Sequence, residues 1–274
     1  MKLHHSKPLP EINGFLKLKN QDWLEKQRVA GKVAASCLVM LEKEVRSGTN
    51  KSMIELDRIA GEFICDNGCQ VTFFGYKGFP GNICVSINEQ LVHGIPTERR
   101  LQEGDLVSFD LGATYQNCIA DTAITIIFGE ARKPEHTRLV LATEEALMKG
   151  IAAIKVGNRL GCIGNAIYRS ARGNGFEVIT QYGGHGIDTR ADGTGQPHAP
   201  PFVSNKASLD EGIRIQPGLV IAIEPLLCTA STQTVVDQDG WTVKTLSGIS
   251  AHYEHSVYVH EDHVEIITQR ENEI

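Results

Sequence analysis

The feature that most constrains this chain is an internal duplication, seen as short segments that recur in the same order. Three pairs of segments carry it: NGCQV (67–71) with NGFEV (174–178), HGI (93–95) with HGI (185–187), and LQEGDLVSFD (101–110) with IQPGLVIAIE (215–224). The repeat is much longer than that of a solenoid. We therefore predict two related halves that pack about a pseudo-two-fold axis and bring equivalent strands to a shared centre.

Each half is predicted to begin with two helices. Apolar residues at helical spacing indicate helices over 21–45, 52–66, 135–154 and 160–172. The second helix opens with Ser52 and, three residues on, Glu55, which is a capping-box pattern. The second and fourth helices are each followed by Asn-Gly, a common helix stop. This shared order of elements supports the duplication.

A β-hairpin follows the first pair of helices. The segments LVSFDLG (106–112) and IADTAITIIF (119–128) flank a short turn, and they place Asp110 and Asp121 as near cross-strand neighbours. Directly opposed side chains in a sheet have Cβ atoms roughly 4.5–5.5 Å apart. Two carboxylates at this short distance repel each other and lose hydration. A bound cation removes both penalties. The alternative interpretation is that one aspartate faces solvent.

The second half supplies three further candidate ligands. Glu224 follows the apolar strand pattern LVIAI, Glu254 lies in AHYEHSVYV, and His185 lies in GGHGI, where glycine allows the backbone to approach a ligand closely. Four carboxylates and one histidine favour hard or borderline metals such as manganese, iron, cobalt or zinc. Because carboxylates can bridge, the set is large enough for two ions roughly 3.5–4 Å apart.

Composition is that of an ordinary globular protein. Hydrophobic residues make up 41% of the chain, and a net charge of -6 argues against nucleic acid as the main partner. The sequence contains neither an apolar run that could span a membrane nor a secretory signal. Seven scattered cysteines without a Cys-x-x-Cys pair fit reduced thiols, so we expect a cytoplasmic protein.

Residues 1–19 are expected to form an N-terminal arm and 20–274 a single domain, with halves at about 20–130 and 134–270.

Motifs in a fixed order give the chain a family resemblance that extends from about Leu18 to Ile267. They are RVAGKVAA (28–35), LDRIA (56–60), SINEQLVHGIP (86–96), FDLG (109–112), ADT (120–122), GGHGI (183–187), AIEP (222–225), DGWTVKT (239–245) and YEH (253–255). In this order they resemble the type I methionine aminopeptidases, and the bacterial form most nearly. The resemblance implies the α+β pita-bread fold of metallopeptidases, with a central curved antiparallel β-sheet and outer helices.

The resemblance also implies a role for each candidate ligand. Asp110 would bind one metal, His185 and Glu224 would bind the other, and Asp121 and Glu254 would bridge the two. The cofactors would be two divalent ions, drawn from cobalt, manganese, iron, zinc and nickel. Water that bridges two such ions has a lowered pKa and supplies hydroxide near neutral pH.

Two further histidines and an apolar pocket complete the implied site. His93 and His198 would hydrogen-bond the substrate around the scissile peptide, and Glu224 would move a proton towards the leaving amine. The pocket for the methionine side chain would be formed by Phe73, Tyr76, Phe79, Cys84 and Trp241. The implied function is removal of the initiator methionine from nascent proteins whose second residue is small.

Three features depart from the bacterial pattern. The segment GIDTRADGTGQP between His185 and His198 is several residues longer, and Phe73 stands where a small residue is usual. His252 replaces an expected glutamine near Glu254, and we expect it to act on that carboxylate. The first two departures bear on the substrate range more than on the metal site.

The expected partners are nascent polypeptide N-termini and the ribosome, without a specific nucleic acid or membrane partner. The chain is expected to be a monomer. Asn88 and Ser250 match positions that help to bind a structural monovalent cation in the relatives.

Three other functions remain open. An enzyme resembling aminopeptidase P or prolidase would cleave Xaa-Pro but not Met-Ala. A non-catalytic module on the same scaffold would bind metal and nascent chains without cleaving peptide. A mononuclear iron oxygenase would take up oxygen without hydrolysis, although such sites use two histidines and one carboxylate and here the carboxylates are more numerous.

Overall fold

The computed structural model describes residues 17–271 and 273, so most of the predicted arm (1–19) lies outside the described residues. The helices are α1 (Gln21–Arg46), α2 (Met53–Asp66), α3 (Pro134–Ala152) and α4 (Gly161–Gly173), with a 3-10 turn at Tyr76–Gly78. The strands are β1 (Gln70–Val71), β2 (Cys84–Ile87), β3 (Gln90–Val92), β4 (Leu106–Tyr115), β5 (Cys118–Ile127), β6 (Glu177–Val178), β7 (Gly184–Thr189), β8 (Gly195–Val203), β9 (Val220–Ile223), β10 (Leu226–Cys228), β11 (Thr234–Val236), β12 (Val243–Thr245), β13 (Ser250–His252), β14 (Glu254–Val259) and β15 (Val264–Ile266). Among the described helices, none has the length and hydrophobicity that a membrane crossing requires.

Local sequence signals determine where the first helices begin. The Asn20 side chain accepts a hydrogen bond from Trp23 N at 3.0 Å and caps α1. At α2, Ser52 Oγ accepts from Glu55 N at 3.3 Å, and a Glu55 carboxylate oxygen accepts from Ser52 N at 2.6 Å. This is the predicted capping box. All four predicted helices are confirmed, with ends that differ by at most two residues.

One antiparallel sheet of nine strands takes members from both halves of the chain. Its strands follow the order β1-β4-β5-β14-β9-β7-β8, with β2 also paired to β4 and β15 to β14. The β5–β14 pair joins the halves, and β4 and β9 flank it in equivalent places. Smaller sheets are formed by β13-β10-β6 and β11-β12-β3. Because both halves share the large sheet, we propose that residues 20–274 form one domain.

The core lies between the large sheet and the helices. α1 packs on β4 and β5, and α3 packs on α4 and on the strands of the second half. On β4, Phe109 and Leu111 are fully buried in this core. Because successive side chains of a strand point to opposite faces, Asp110 between them points away from the core. The face of the sheet opposite the α1 core therefore carries the polar residues of the candidate site.

The β4–β5 hairpin differs in one respect from the prediction. Ten consecutive residue pairs join the strands, and the turn consists of Gln116 and Asn117, with φ of 47° and 65°. Positive φ at both positions matches the twist of the strands. In this register Asp110 pairs with Ala123, which lies two residues beyond Asp121. The two aspartates are therefore diagonal neighbours on one face and do not lie directly opposite each other.

Two expectations about strands are wrong. AHYEHSVYV keeps one strand pattern, but the chain changes sheets at Tyr253, because β13 pairs with β10 whereas β14 pairs with β5 and β9. The buried Tyr253 hydroxyl donates to Thr125 O at 3.1 Å and anchors this change. The two HGI segments are also not equivalent. His185 lies on β7 in the large sheet, whereas His93 follows β3 of a small sheet.

Candidate metal centre

The first row of the site crosses four neighbouring strands. Strand pairing aligns Cys84 on β2, Asp110 on β4, Ala123 on β5 and Glu254 on β14. Residues aligned in this way point to the same face of a sheet. Because Ala123 has only a methyl group, the space between the Asp110 and Glu254 carboxylates stays open.

A second row lies two residues along the strands from the first. Gly112 on β4 pairs with Asp121 on β5, and Ser256 on β14 pairs with Ala222 on β9. The Ser256 hydroxyl joins the two pairs, since it donates to Asp121 O and accepts from Asp121 N, at 2.8 Å each. The backbone of Asp121 is thus fixed on both sides, and its carboxylate lies next to those of the first row.

His185 lies between two glycines on β7, which pairs with both β8 and β9. A Cβ on Gly184 would lie 2.2 Å from Ala222 O, and one on Gly186 would lie 2.1 Å from Pro200 O. Both glycines are therefore required by the close approach of the neighbouring strands. The expectation that they admit a ligand to the backbone is wrong, because strands occupy that space.

Glu224 directly follows β9, where Pro225 prevents further strand pairing. The Glu224 backbone oxygen accepts a hydrogen bond from Asn205 Nδ2 at 2.9 Å. Asn205 is buried. This contact fixes the Glu224 backbone at a point where the sheet no longer does so.

The five predicted ligands converge in space. Ligand atoms of Asp110, Asp121 and Glu254 lie within 4.8 Å of one another, as do those of His185, Glu224 and Glu254. His185 Nε2 is 3.6 Å from a Glu224 oxygen and 3.9 Å from a Glu254 oxygen. Asp121, His185 and His198 form a third set within the same distance, so Asp121 and Glu254 each belong to two sets. Overlapping sets that share carboxylates fit two bridged ions.

The chemistry of the donors also fits metal ions. Asp121 Oδ1 and Glu254 Oε1 are buried and have no hydrogen-bond partner. An unpartnered buried oxygen is costly, and a bound cation offsets that cost. Carboxylate oxygens with one imidazole nitrogen suit first-row divalent ions.

Burial raises the pKa values of the clustered acids. Loss of solvation raises the pKa of Asp110 to about 7, although a hydrogen bond with Cys84 opposes the shift. Loss of solvation and the charge of Asp110 raise the pKa of Glu224 to about 8. The same causes hold the pKa values of Asp121 and Glu254 well above their usual range. Full ionisation of this cluster therefore requires positive charge.

His93 and His198 line the same cavity as the acids. His93 has φ of 59°, and the next residue must be glycine, because a Cβ on Gly94 would lie 2.3 Å from a backbone oxygen. The His198 ring stacks on Tyr76 at 5.4 Å between centroids and lies 4.4 Å from the His185 ring. Burial lowers the pKa of His93 to about 4 and that of His198 to about 3, so both are neutral near pH 7.

An apolar cluster lines part of this cavity, which has a volume of about 310 Å³. Phe73, Phe79 and Cys84 are buried there, and Trp241 packs against them. The rings of Phe79 and Trp241 meet edge to face at 5.2 Å between centroids. Together with Tyr76, these are all five residues predicted to form the pocket, and all five line the cavity.

Three residues that shape the site were not predicted from the sequence. Ser256 braces Asp121, Tyr182 meets the His93 ring edge to face at 6.2 Å, and Phe202 lines the cavity. The position of Ser256 could have been predicted, because a strand residue two positions after the ligand Glu254 lies on the same face. The positions of Tyr182 and Phe202 could not, since they depend on tertiary packing around β7 and β8.

Comparison with known proteins agrees with this geometry. Residues 25–261 match the family model for metallopeptidase family M24. A methionine aminopeptidase from Mycoplasma capricolum subsp. capricolum is 39% identical over 258 residues, which cover 94% of this chain and 100% of the relative. One from Clostridium perfringens is 38% identical over 252 residues, 92% of this chain and 98% of the relative. The crystal structure of a methionine aminopeptidase from Thermotoga maritima matches with a TM-score of 0.87 and 34% identity, covering 93% of this chain and 100% of that chain.

Proposed function

The chain belongs to metallopeptidase family M24 and is a metal-dependent methionine aminopeptidase, and we propose that it removes the initiator methionine from nascent proteins whose second residue is small. The match to the Thermotoga enzyme confirms the α+β pita-bread fold expected from the sequence. The observation that carries the proposal is the convergence of His185 and four carboxylates at a cavity that apolar side chains also line.

We assign the ligands by their position in these sets. Asp110 would hold one ion, His185 and Glu224 would hold the other, and Asp121 and Glu254 would bridge the two. The bridging role is supported by the membership of Asp121 and Glu254 in two sets each and by the 4.0 Å between His185 Nε2 and an Asp121 oxygen. Two divalent ions, when bound, act as Lewis acids and lower the pKa of water. Cobalt, manganese, iron, zinc and nickel all suit these donors.

Glu224 is the proposed proton carrier. It borders the cavity, where its carboxylate can accept a proton from the attacking water and pass it to the leaving amine as the C–N bond breaks. The products are free methionine and a polypeptide shortened by one residue.

His198 and His93 are proposed to hold the scissile peptide by hydrogen bonds. Both rings border the cavity and are neutral near pH 7, so each carries one N–H donor. A donation from His198 to the substrate carbonyl oxygen gains strength as negative charge develops there. The His93 ring makes edge-to-face contacts with Tyr182 and Trp241, which orient it in the cavity.

The apolar cluster of Phe73, Phe79, Cys84 and Trp241 is proposed to receive the methionine side chain. An unbranched thioether packs well against aromatic edges, whereas a charged side chain would lose its hydration there. Because the Phe73 ring takes up space in this part of the cavity, branched and aromatic side chains of the first residue should fit less well than methionine.

Further proposals concern location, assembly and a second type of ion. Because nascent N-termini are the proposed substrates, we propose that the enzyme acts in the cytoplasm near the ribosome. We also propose that it acts as a monomer.

A monovalent cation is proposed near Asn88 and Ser250. It is supported by the convergence of two carbonyl oxygens, since the Ser250 hydroxyl donates to Asn88 O at 3.1 Å and to Gln90 O at 3.2 Å.

The test compares hydrolysis of Met-Ala-Ser, Leu-Ala-Ser and Ala-Pro-Ser by chelated protein reloaded with manganese, iron or cobalt. The control variants are Asp110→Asn and Glu254→Gln, which keep the side-chain shape and remove a ligand charge. We expect release of methionine alone, dependent on metal and lost in both variants.

Other outcomes would redirect the proposal. Cleavage of Ala-Pro-Ser but not Met-Ala-Ser would replace methionine removal with an Xaa-Pro activity. Folded protein that binds metal but cleaves none of the three peptides would indicate a peptide-binding role. Release of leucine as well as methionine would show that Phe73 does not restrict the pocket.

A further inference from the structure

His252 is a buried histidine whose two ring nitrogens both lack a hydrogen-bond partner among the described residues. Its backbone is fixed on β13, where His252 pairs with Leu226 of β10. In addition, His252 N donates to Thr125 Oγ1 at 2.8 Å, and Thr125 Oγ1 donates to His252 O at 2.9 Å. The ring is therefore held in place by a rigid backbone while its own polar atoms remain unused.

The His252 ring faces one carboxylate oxygen of each of two proposed metal ligands, namely the Oε2 atoms, which we call the outer oxygens. His252 Nε2 is 3.6 Å from Glu224 Oε2 and 3.9 Å from Glu254 Oε2. On the other side of the same carboxylates, His185 Nε2 is 3.6 Å from Glu224 Oε1 and 3.9 Å from Glu254 Oε1. Each glutamate thus presents one oxygen to His185 and the other to His252.

We propose that His252 is a positioning residue that shares its Nε2–H between the outer oxygens of Glu224 and Glu254. A shift of roughly 0.4 Å brings Glu224 Oε2, and one of roughly 0.7 Å brings Glu254 Oε2, within about 3.2 Å of Nε2. An imidazole carries at least one N–H in either protonation state, and a buried N–H without an acceptor is unfavourable. The two carboxylates are the acceptors that Nε2 faces, so the hydrogen bond satisfies the Nε2–H and the outer oxygens together.

This hydrogen bond determines which oxygen each glutamate offers to a metal. With the outer oxygen engaged, each carboxylate is held from rotating, and the Oε1 atoms stay directed to the side of His185. Partners of this kind typically change metal affinity by about 10–100-fold when they are removed. The inference rests on the proposed metal site and not on the choice of substrate. It also extends the expectation from the sequence, which concerned Glu254 alone.

The test compares His252→Leu and His252→Gln with the unaltered chain in metal binding. Leucine removes the donor at similar size, and glutamine can donate from a similar place. A matched control is His136→Leu, since His136 is also buried with an unpartnered ring nitrogen but lies on α3, outside the metal-binding cavity. Titration calorimetry gives the Kd of Mn²⁺ and Co²⁺, and the visible spectrum of bound Co²⁺ reports the geometry of its ligands.

We expect His252→Leu to raise the Kd of at least one ion by about 10–100-fold and to change the Co²⁺ spectrum. His252→Gln should bind within about 3-fold of the unaltered chain, and His136→Leu should bind as the unaltered chain does. If His252→Leu does not fold without metal, as judged by thermal unfolding, His252→Met provides a second apolar variant.

Two results would overturn the proposal. One is an apolar variant that binds Co²⁺ with unchanged Kd and spectrum. The other is equal weakening by leucine and glutamine, which would indicate a packing role without hydrogen bonding. If the unaltered chain binds two ions but does not cleave Met-Ala-Ser, the proposed function fails, whereas the metal-binding comparison still decides the role of His252.

Discussion

Two β-hairpins build the site, and they differ in regularity. The β4–β5 hairpin carries Asp110 and Asp121 on strands joined by ten consecutive pairs and a two-residue turn. The β7–β8 hairpin carries His185 and His198, and its pairing shifts register on both sides of Gly186. A regular ladder sets the spacing of the strands in the first hairpin, whereas the ladder of the second is irregular and contacts from other segments also hold it.

This difference separates two tasks. Acids that share metal ions must keep fixed mutual distances, and a long regular ladder provides them. On β8, His198 instead stacks on Tyr76 of another segment, and Asp188, close to the turn end of β7, accepts a hydrogen bond from the buried Lys19. His185 on β7 is a proposed ligand and belongs with the acids. We therefore expect changes in β4–β5 and at His185 to affect metal binding first, and changes at His198 to affect substrate handling first.

The largest effect is expected for Asp121→Asn. The substitution removes a bridging charge while the Ser256 contacts, which involve the Asp121 backbone, remain. We expect kcat/KM for Met-Ala-Ser to fall by about 10³-fold or more and one ion per chain to be lost. Metal content after dialysis and initial rates measure both. The control is Asp262→Asn, an exposed acid, which should change neither. Two bound ions with substantial activity would contradict the bridging role.

The first hairpin should also make the metal-free protein sensitive to pH. The pKa of Asp110 is raised to about 7 and that of Glu224 to about 8, above their values in the unfolded chain. Acids with a raised folded-state pKa stabilise the folded state at pH below about 4 and lose that contribution as the pH rises to 7–8. We expect the free energy of unfolding of chelated protein to fall between pH 5 and pH 8.

Urea denaturation at a series of pH values, with chelator or with saturating Mn²⁺, measures this effect. Metal should flatten the dependence, because bound ligands are ionised throughout the range. A chelated protein with constant stability from pH 5 to pH 8 would contradict the idea that the acids repel one another.

In the second hairpin, His198→Ala is expected to lower kcat/KM by about 10–100-fold, since one donor to the developing oxyanion is lost. The ion count should stay the same, because all five proposed ligands remain. His263→Ala, at an exposed position, is the control. A loss of metal equal to that of Asp121→Asn would remove the distinction between the hairpins and make His198 a ligand.

The contrast between the hairpins also limits what the sequence could predict. Asp110 and Asp121 were found because strand alternation and a short turn constrain each other, but their diagonal offset depends on a turn of only Gln116 and Asn117. The strand pattern of AHYEHSVYV also indicated that Glu254 lies on a strand. It could not show that the chain changes sheets at Tyr253, because the pattern continues through that residue.

The irregular parts depend on packing between distant segments. The glycines between His185 and His198 indicate a loop, but most of this segment forms a paired hairpin. Local sequence propensity does not encode the register shifts of that hairpin. The family resemblance placed His198 at the site, and the position of Tyr182 and Phe202 around it emerged only with the fold.

A smaller effect is expected near the turn of the second hairpin, at Asp188. Lys19 is buried beside Asp188, and the Tyr258 hydroxyl donates to Lys19 O at 3.0 Å. Asp188→Asn leaves the ammonium without its counter-charge, so we expect the free energy of unfolding to fall by about 1–2 kcal/mol. KM should rise a few-fold, through His198, while the ion count stays constant. Asp192→Asn at the exposed tip is the matched control. An unchanged KM would show that the ion pair stabilises the fold without positioning the hairpin.

The smallest effect is expected at the tip of the first hairpin. Asn117 has φ of 65°, a conformation that glycine adopts with less strain, and glycine is favoured at this position of such turns. Asn117→Gly should raise the free energy of unfolding by about 0.5 kcal/mol, measured by urea denaturation. Metal content and kcat/KM should not change, because ten residue pairs already fix the strands. A change in either would mean that the turn, and not the ladder, sets the distance between the aspartates, and the two hairpins would then differ in degree only.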